Sequence, residues 1–257
     1  MLTSRAAHCF LFAACAAVAA MPVAAQPIPG STAIPIVFTR TIAAGDVHPG
    51  DAVRAKTLEA VALPGGRTLP AGSVLAGSIV AASPFQFDAT PYASQRPSVL
   101  SIRFESIAGQ GGAIPVNVSV RAIAGPVASH EAEIPHGLDE IDWSATRTLI
   151  GGDTTSALDK TVLAPDGSVV GYNRGEGVYA RLLASVSAHD PGLSCDATSS
   201  EQAVAVFSPD ACGVYGLNTI ALADNGAQDN GTFVLESRQG SVRLYAGTTA
   251  LLEEVSH

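Results

Sequence analysis

The sequence is poor in the side chains that most often carry chemistry: 14% of its 257 residues are charged, 5% are aromatic, and tryptophan occurs once. With so little aromatic material, a stacking platform for carbohydrate or peptide is not expected. Lysine and arginine form no cluster and the net charge is −9, so nucleic acid, whose phosphates would be repelled, is not an expected partner. No polybasic or amphipathic segment suits an anionic membrane surface.

Recognisable catalytic and cofactor motifs are also missing. Ser168 lies one place too early between Gly167 and Gly171 for the sharp turn that presents a nucleophilic serine. The glycine-rich stretch Gly171–Gly177 does not have the residue order of a phosphate cradle, and Glu176 would repel a phosphate. Ser-x-x-Lys and Cys-x-x-Cys do not occur. We therefore predict no catalytic, cofactor-binding or metal-ligating residue, and no cofactor.

An acidic strip between residues 130 and 142 is the stretch most suggestive of a metal site. A zinc-binding helix of the His-Glu-x-x-His type would need a second histidine at position 134, which is Ile134, and Pro135 would break that helix. The strip is therefore predicted to be a solvated acidic linker. Its candidate ligands are His130, Glu131, Glu133, His136, Asp139 and Asp142.

A second oxygen-rich stretch, Asp224–Gly231, could suggest calcium, because hard cations take clustered oxygen ligands. Its spacing does not fit an EF-hand loop, and the glutamate expected six residues past the glycine is missing. The two Asn-Gly pairs are typical of tight turns between strands, so turns are predicted here instead.

The apolar run at the start of the chain is too short for a membrane-spanning helix, which needs ~20 apolar residues. It has the order of a signal peptide instead. Met1–Arg5 carries one positive charge, and Cys9–Met21 is apolar and uncharged. Val23 and Ala25 then place small residues at positions −3 and −1 before Gln26. We expect residues 1–25 to be removed by cleavage between Ala25 and Gln26, and no transmembrane segment in the mature chain.

One alternative concerns Phe12–Cys15, which loosely resembles a bacterial lipobox and would lead to lipidation of Cys15. Phenylalanine stands where leucine is usual, and the apolar run before Cys15 would be very short. Cleavage after Ala25 is therefore preferred.

Removal of the signal peptide would leave two of the four cysteines, Cys195 and Cys212. An even pair in an oxidising compartment predicts a disulfide, worth about 3 kcal/mol in the loop-entropy account for a loop of this length. Two free thiols or half of a metal site are the alternatives. Metal is disfavoured because no paired histidine lies nearby in the sequence.

The hydrophobic pattern indicates a mainly β fold. In segments such as Val99–Ile107 and Ile114–Ile123, hydrophobic residues recur at every second position, and glycine-rich turns separate the segments. Residues 26–125 are predicted to form a small β-barrel or sandwich. An acidic connector over 126–145 leads to a second β-rich domain over 146–257, for which an α+β arrangement is the alternative.

A family resemblance appears in the first of these domains. Gly66–Gly77 reads Gly-Arg-Thr-Leu-Pro-Ala-Gly-Ser-Val-Leu-Ala-Gly, and the strand Leu100–Phe104 and a Gly-Gly-x-Ile-Pro step follow it. Over residues 34–123 this combination resembles the small β-barrel of TrbI/VirB10-type secretion components. The resemblance implies a barrel fold and a place in an envelope assembly. The chain lacks that family's long proline-rich region, membrane anchor and apolar antenna, so the likeness is one of fold.

Together these features predict an exported bacterial protein of the periplasm, outer cell surface or medium. We expect a non-catalytic binding or envelope-associated structural protein, with envelope proteins or a small ligand as partners. One alternative is an exported hydrolase, in which His136, Asp139, Asp142 and Asp153 would line one pocket. Another is a component of a cell-envelope secretion assembly.

The predicted cleavage site can be tested with two leucine substitutions. In a bacterial host the mature chain should begin at Gln26 by intact-mass measurement. Ala25→Leu should block cleavage, because signal peptidase requires a small residue at position −1. Ala24→Leu, at the unconstrained position −2, is the control and should be processed normally. A mature chain that begins with a lipidated Cys15 would contradict this prediction.

Overall fold

A computed structural model of the chain describes residues 27–86, 95–109, 112–134, 146–156, 158–174, 177–223 and 231–255. The predicted signal peptide and its cleavage site at Ala25 and Gln26 lie outside these residues. So do most of the acidic strip, including His136, Asp139 and Asp142, and most of the predicted Asn-Gly turns. Those expectations stay predictions. None of the described helices is long and apolar enough to cross a membrane.

Nearly all of the regular structure is strand, which confirms the predicted mainly β fold. The first elements are β1 (Ala33–Phe38), β2 (Ile42–Ala43), β3 (Ala52–Thr57), β4 (Val61–Leu63), a 3₁₀ turn (Pro64–Gly66), β5 (Arg67–Leu69), β6 (Val74–Ser83), β7 (Ser98–Gly109), β8 (Gly112–Pro115), β9 (Val118–Ala124) and the helix α1 (Pro126–Glu133). They are followed by β10 (Thr146–Thr148), β11 (Thr154–Ser156), β12 (Thr161–Leu163), β13 (Val169–Arg174), β14 (Gly177–Ala180), β15 (Ser185–Val186), β16 (Ser194–Cys195), β17 (Gln202–Ala203), β18 (Gly213–Tyr215), β19 (Ala221–Ala223), β20 (Thr232–Ser237), β21 (Arg243–Leu244) and β22 (Thr249–Glu254).

Ten strands form a nearly closed, barrel-like sheet in the order β18-β9-β22-β1-β3-β6-β7-β20-β19, with β8 also on β7. β18 runs parallel to β9, and the other pairs are antiparallel. The two segments that carry the TrbI/VirB10 resemblance lie side by side in this sheet, since Gly77 pairs with Phe104 and Ser78 with Arg103. The resemblance itself stays a prediction.

Hydrogen bonding in the barrel does not follow chain order. β22 lies between β1 and β9, and β20 pairs with β7, so residues 213–254 share a sheet with residues 33–124. The division of the chain into 26–125, 126–145 and 146–257 stays a prediction. The first and the last of these three units contribute strands to one sheet.

The barrel interior is filled by alternate side chains of its strands. In β3 Val53, Ala55 and Thr57 are buried while the residues between them are exposed, as the two-residue period predicts. Phe104 contacts two other buried rings: its ring centroid is 6.1 Å from that of Phe38 and 6.2 Å from that of Phe233. These tilted contacts are favourable aromatic geometry and fix three strands from distant parts of the chain around one point.

A second layer covers one side of the barrel. It contains a six-stranded antiparallel sheet in the order β10-β11-β12-β13-β14-β17. Its core side chains, among them Val162, Val178 and Phe207, pack against small residues on the outside of the barrel such as Ala122 and Ala124. This contact explains why all but one residue of each of the strands β1, β9 and β22 is buried.

Arg121 fastens this layer to the barrel. It lies on β9 with 1% of its surface exposed, and its guanidinium donates hydrogen bonds to the carbonyls of Leu183, Asp196, Pro209 and Ala211. Because a buried cation is costly unless its donors are satisfied, these four carbonyls must stay in place around it.

The predicted disulfide between Cys195 and Cys212 is confirmed. Each cysteine is next to a residue whose carbonyl accepts from the Arg121 guanidinium, Asp196 beside Cys195 and Ala211 beside Cys212. The cross-link therefore restricts the same loops that Arg121 holds.

Asp190 closes the gap in the barrel between its two edge strands. One carboxylate oxygen accepts a hydrogen bond from the Val214 amide of β18 at 3.2 Å, and the other accepts from the Leu222 amide of β19 at 3.2 Å. Gly213 has a φ of +95°, and a Cβ there would lie 2.1 Å from the Ser187 hydroxyl, so only glycine fits beside this carboxylate. The side chain thus takes the place of a strand pair.

Asp190→Ala is expected to lower the free energy of unfolding by about 2–4 kcal/mol, because two buried amides would lose their acceptor. Urea unfolding monitored by circular dichroism would measure the loss. Asp166→Ala is the matched control: Asp166 also accepts two hydrogen bonds, both from Ser168, but it is exposed. The control should change stability by less than about 0.5 kcal/mol. Equal losses in the two variants would contradict the role given to Asp190.

Candidate functional site

Residues 130–134 are the part of the acidic strip that the structure describes. His130, Glu131 and Glu133 are exposed on α1, and the other three candidate ligands lie outside the described residues. Within the described ranges no group of three or more His, Cys, Asp or Glu side chains could hold a metal ion.

Asp153 is the one residue of the hydrolase alternative that the structure describes. It is buried before β11, where its amide donates a hydrogen bond to the Ser208 hydroxyl at 3.0 Å. Burial, aided by the nearby Asp210 charge, raises the pKa of the Asp153 carboxyl to about 6. Since its three proposed partners lie outside the described part of the chain, that alternative stays a prediction.

A cleft with a volume of about 300 Å³ lies where the second layer meets the barrel. Residues from four parts of the chain line it: the segment before β1, the strand β4, the facing ends of β13 and β14, and the stretch leading into β17. They are Pro29, Gly30, Thr32, Val61, Ala62, Arg174, Tyr179, Ser200, Glu201, Gln202 and Ala203.

A short ladder of aromatic and charged side chains runs beside the cleft, and its members Arg174 and Tyr179 line it. Tyr172 on β13 lies directly opposite Tyr179 on β14, and Arg174, two residues further along β13, projects on the same face. The Arg174 guanidinium carbon is 5.8 Å from the centroid of the Tyr172 ring and 5.7 Å from that of the Tyr179 ring. Both distances are within the range of a cation–π interaction.

Glu201 completes this ladder. Its two carboxylate oxygens accept hydrogen bonds from both terminal nitrogens of Arg174, with Nη2 to Oε2 at 3.0 Å. The side chains are 58% and 36% exposed, so water competes for both partners and the pair contributes little to stability. A ligand could therefore take either partner at small cost.

The remaining polar groups of the cleft are held by the protein itself. Gln202 accepts a hydrogen bond from the Ala33 amide at 2.8 Å through Oε1, and its Nε2 donates to the Ser200 hydroxyl. Thr32 donates from its hydroxyl to the Pro29 carbonyl at 2.7 Å. These bonds fix the walls in one arrangement, so the cleft is preformed.

Glu59 belongs to the segment that forms one wall of the cleft, two residues before Val61, but does not itself line the cleft. Its Oε1 accepts a hydrogen bond from the Val178 amide at 3.1 Å, while Oε2 is buried with no hydrogen-bond partner among the described residues. A Cβ at Gly177 would overlap the Glu59 carboxyl at 1.3 Å, so the glycine makes room for it. Burial raises the pKa of the Glu59 carboxyl from 4.5 to about 7.

Glu254 has the same local chemistry in a different place. Its Oε1 accepts a hydrogen bond from the backbone amide of Asn117 at 3.0 Å, and its Oε2 is likewise buried without a partner in the described part of the chain. Burial raises the pKa of this carboxyl to about 7 as well. Glu254 is on β22 and does not line the cleft, so it serves as a reference for Glu59.

Sequence patterns did not predict this cleft. The stretch Gly171–Gly177 has the composition of a glycine-rich loop, but Val169–Arg174 is strand, and its alternation of Tyr172 with Arg174 was the available signal. Leu58–Ala60 separates β3 from β4, and this break places Glu59 against β14. Nothing in the local sequence indicated that contact, because its partner is 119 residues away.

Comparisons with known proteins gave no match: no family model, no curated protein and no solved structure is similar to this chain.

The two buried glutamates predict a measurable pH dependence. Because their pKa is higher in the folded chain than the ordinary 4.5, their contribution to stability is complete below about pH 4.5 and is lost as the pH rises to about 7. The double variant Glu59→Gln, Glu254→Gln should therefore gain about 3–5 kcal/mol relative to wild type between about pH 5 and pH 8.

Urea unfolding of both proteins at the two pH values measures this difference. Glu131→Gln, an exposed position on α1, is the control and should follow the wild type at both pH values. A double variant whose stability runs parallel to that of the wild type would show that neither carboxyl titrates in this range.

Proposed function

We propose that this chain is an exported, non-catalytic binding module of the bacterial cell envelope, with a small ligand or the end of a partner molecule held in the cleft beside Tyr179. The observation that carries the proposal is the cleft itself. It is preformed, lies between two layers of the fold, and combines an apolar floor with an aromatic, a cationic and an anionic side chain. Such a combination is typical of small-molecule sites.

The chemistry of the cleft limits what it would bind. Its volume of about 300 Å³ is at the lower end of the range for small-molecule sites, which favours a small ligand or a terminal group. Arg174 and Glu201 present one charge of each sign at the rim. We infer a ligand without net charge that carries both a donor and an acceptor group, because a net charge of either sign would meet one like charge at this rim.

Two further features support placement in the envelope. The N-terminal segment has the order of a signal peptide, and a disulfide in the folded chain fits an oxidising compartment. The resemblance of Gly66–Gly77 to TrbI/VirB10-type components also favours an envelope protein. It makes a secretion assembly the first place to look for a partner.

Photo-cross-linking from Tyr172, which lies beside the lining residues Arg174 and Tyr179, tests the proposal. Tyr172 would be replaced by a photoreactive tyrosine analogue in the full-length chain, expressed with its leader in its bacterial host. Tyr245 is the matched control, because it is also about half exposed (50% against 47%) and also lies under an arginine, but that arginine, Arg243, does not line the cleft, whereas Arg174 does. We expect a specific adduct from position 172 that is absent from position 245.

The adduct's mass, read by mass spectrometry, separates a low-molecular-weight ligand from an envelope protein. Arg174→Met should reduce the yield at position 172, since it removes the cation of the ladder. No adduct from either position, or equal adducts from both, would count against a binding role for the cleft. Recovery of the chain only in the cytoplasmic fraction would count against export.

A further inference from the structure

We propose that Glu59 is a proton-controlled latch that holds one wall of the cleft, residues 59–62, against β14. Protonation keeps the wall in place, and ionisation releases it. The inference rests on the proposed function only in treating the cleft as a binding site.

The geometry of the wall supports this role. Two hydrogen bonds join it to β14: the Val178 amide donates to the Glu59 carboxyl at 3.1 Å, and the Tyr179 hydroxyl donates to the Ala60 carbonyl at 3.1 Å. The next two residues, Val61 and Ala62, line the cleft, as does Tyr179 from the other side. Movement of Glu59 away from β14 would therefore change the width of the cleft directly.

The carboxyl of Glu59 is placed where ionisation is costly. The residue is 7% exposed, its Oε2 has no hydrogen-bond partner among the described residues, and a single backbone amide supports Oε1. A carboxylate with one donor, and with no described cation acting on it, is poorly compensated for the loss of water. In the open position the charge would be hydrated, so ionisation favours opening.

The titratable groups around Glu59 do not stabilise its ionised form in the closed position. Across from Glu59, Tyr179 on β14 interacts electrostatically with Glu59, Arg174 and Glu201. Arg174 on β13 has both terminal nitrogens bonded to Glu201, which precedes β17. The one cation of this group is thus already paired with a carboxylate and does not neutralise Glu59.

The expected pH window follows from proton linkage. Burial raises the pKa of the Glu59 carboxyl from 4.5 to about 7 in the closed position, and the open position should restore the ordinary value. Opening is therefore least favourable below about pH 4.5, becomes more favourable as the pH rises to about 7, and is constant above that. The wall of the cleft would stay against β14 at acidic pH and would open more readily at neutral pH.

Hydrogen exchange at the Val178 amide of the full chain measures the latch without any ligand. Between about pH 5 and pH 7.5 its protection factor, corrected for the intrinsic exchange rate, should fall about tenfold or more in the wild type. In Glu59→Gln, whose amide side chain cannot ionise, the protection factor should stay near the acidic wild-type value at both pH values.

Glu254→Gln is the matched control, because Glu254 has the same single amide bond and the same unpaired oxygen. It should remove the pH dependence at its own partner, the Asn117 amide, and leave that of Val178 intact. A Val178 protection factor that does not change in the wild type would overturn the latch, and this measurement needs no variant to fold. The same fall in Glu59→Gln as in the wild type would also overturn it.

Failure of the latch and failure of the proposed function are distinguishable. Exchange at Val178 reports only on the wall, whereas the cross-link from position 172 reports only on occupancy of the cleft. A pH-independent Val178 amide with a specific adduct at position 172 would leave a binding site with a fixed wall.

Discussion

The two oxygens of the Asp190 carboxylate reach the amides of Val214 and Leu222, which belong to the edge strands on either side of the opening in the barrel. The two edge strands, β18 and β19, do not pair with each other through backbone hydrogen bonds. The Asp190 side chain links them instead. Much of the surrounding structure depends on it. Gly213 lacks a side chain, so the carboxylate and Ser187 can lie against it. The preceding residue, Cys212, is one end of the disulfide. Burial raises the pKa of Asp190, and the two amides partly offset that effect.

Arg121 lies on β9 and joins the barrel to the second layer. Its guanidinium donates hydrogen bonds to four carbonyls in the loops of the second layer, and one of those loops also contains Cys195. The small alanines on the outside of β9 let Phe207 and its neighbours approach the barrel closely. The second layer is thus attached by one polar anchor and one apolar contact, and the cleft forms along the line where the two layers meet.

The strand content, the alternation in β3 and β20, and the disulfide could all be predicted from the sequence, because each depends on local periodicity or on a simple count of cysteines. The closure of the barrel could not. Asp190 precedes Pro191 and Gly192, a combination that indicates a turn and says nothing of which distant amides the carboxylate will meet. The same holds for Glu59, Tyr179 and Arg174, whose contacts join segments far apart in the chain.

The position of β22 has a consequence for the order in which the chain can fold. This last strand lies between β1 and β9, so both of those strands keep an unpaired edge until the final residues arrive. A chain that is delivered from its N-terminus, by a ribosome or through a narrow channel, cannot complete the barrel on the way. Pairings of such long sequence separation also form slowly. The early strands must therefore remain open for the whole time of delivery. In that interval they depend on chaperones or on rapid transit to avoid pairing with other chains.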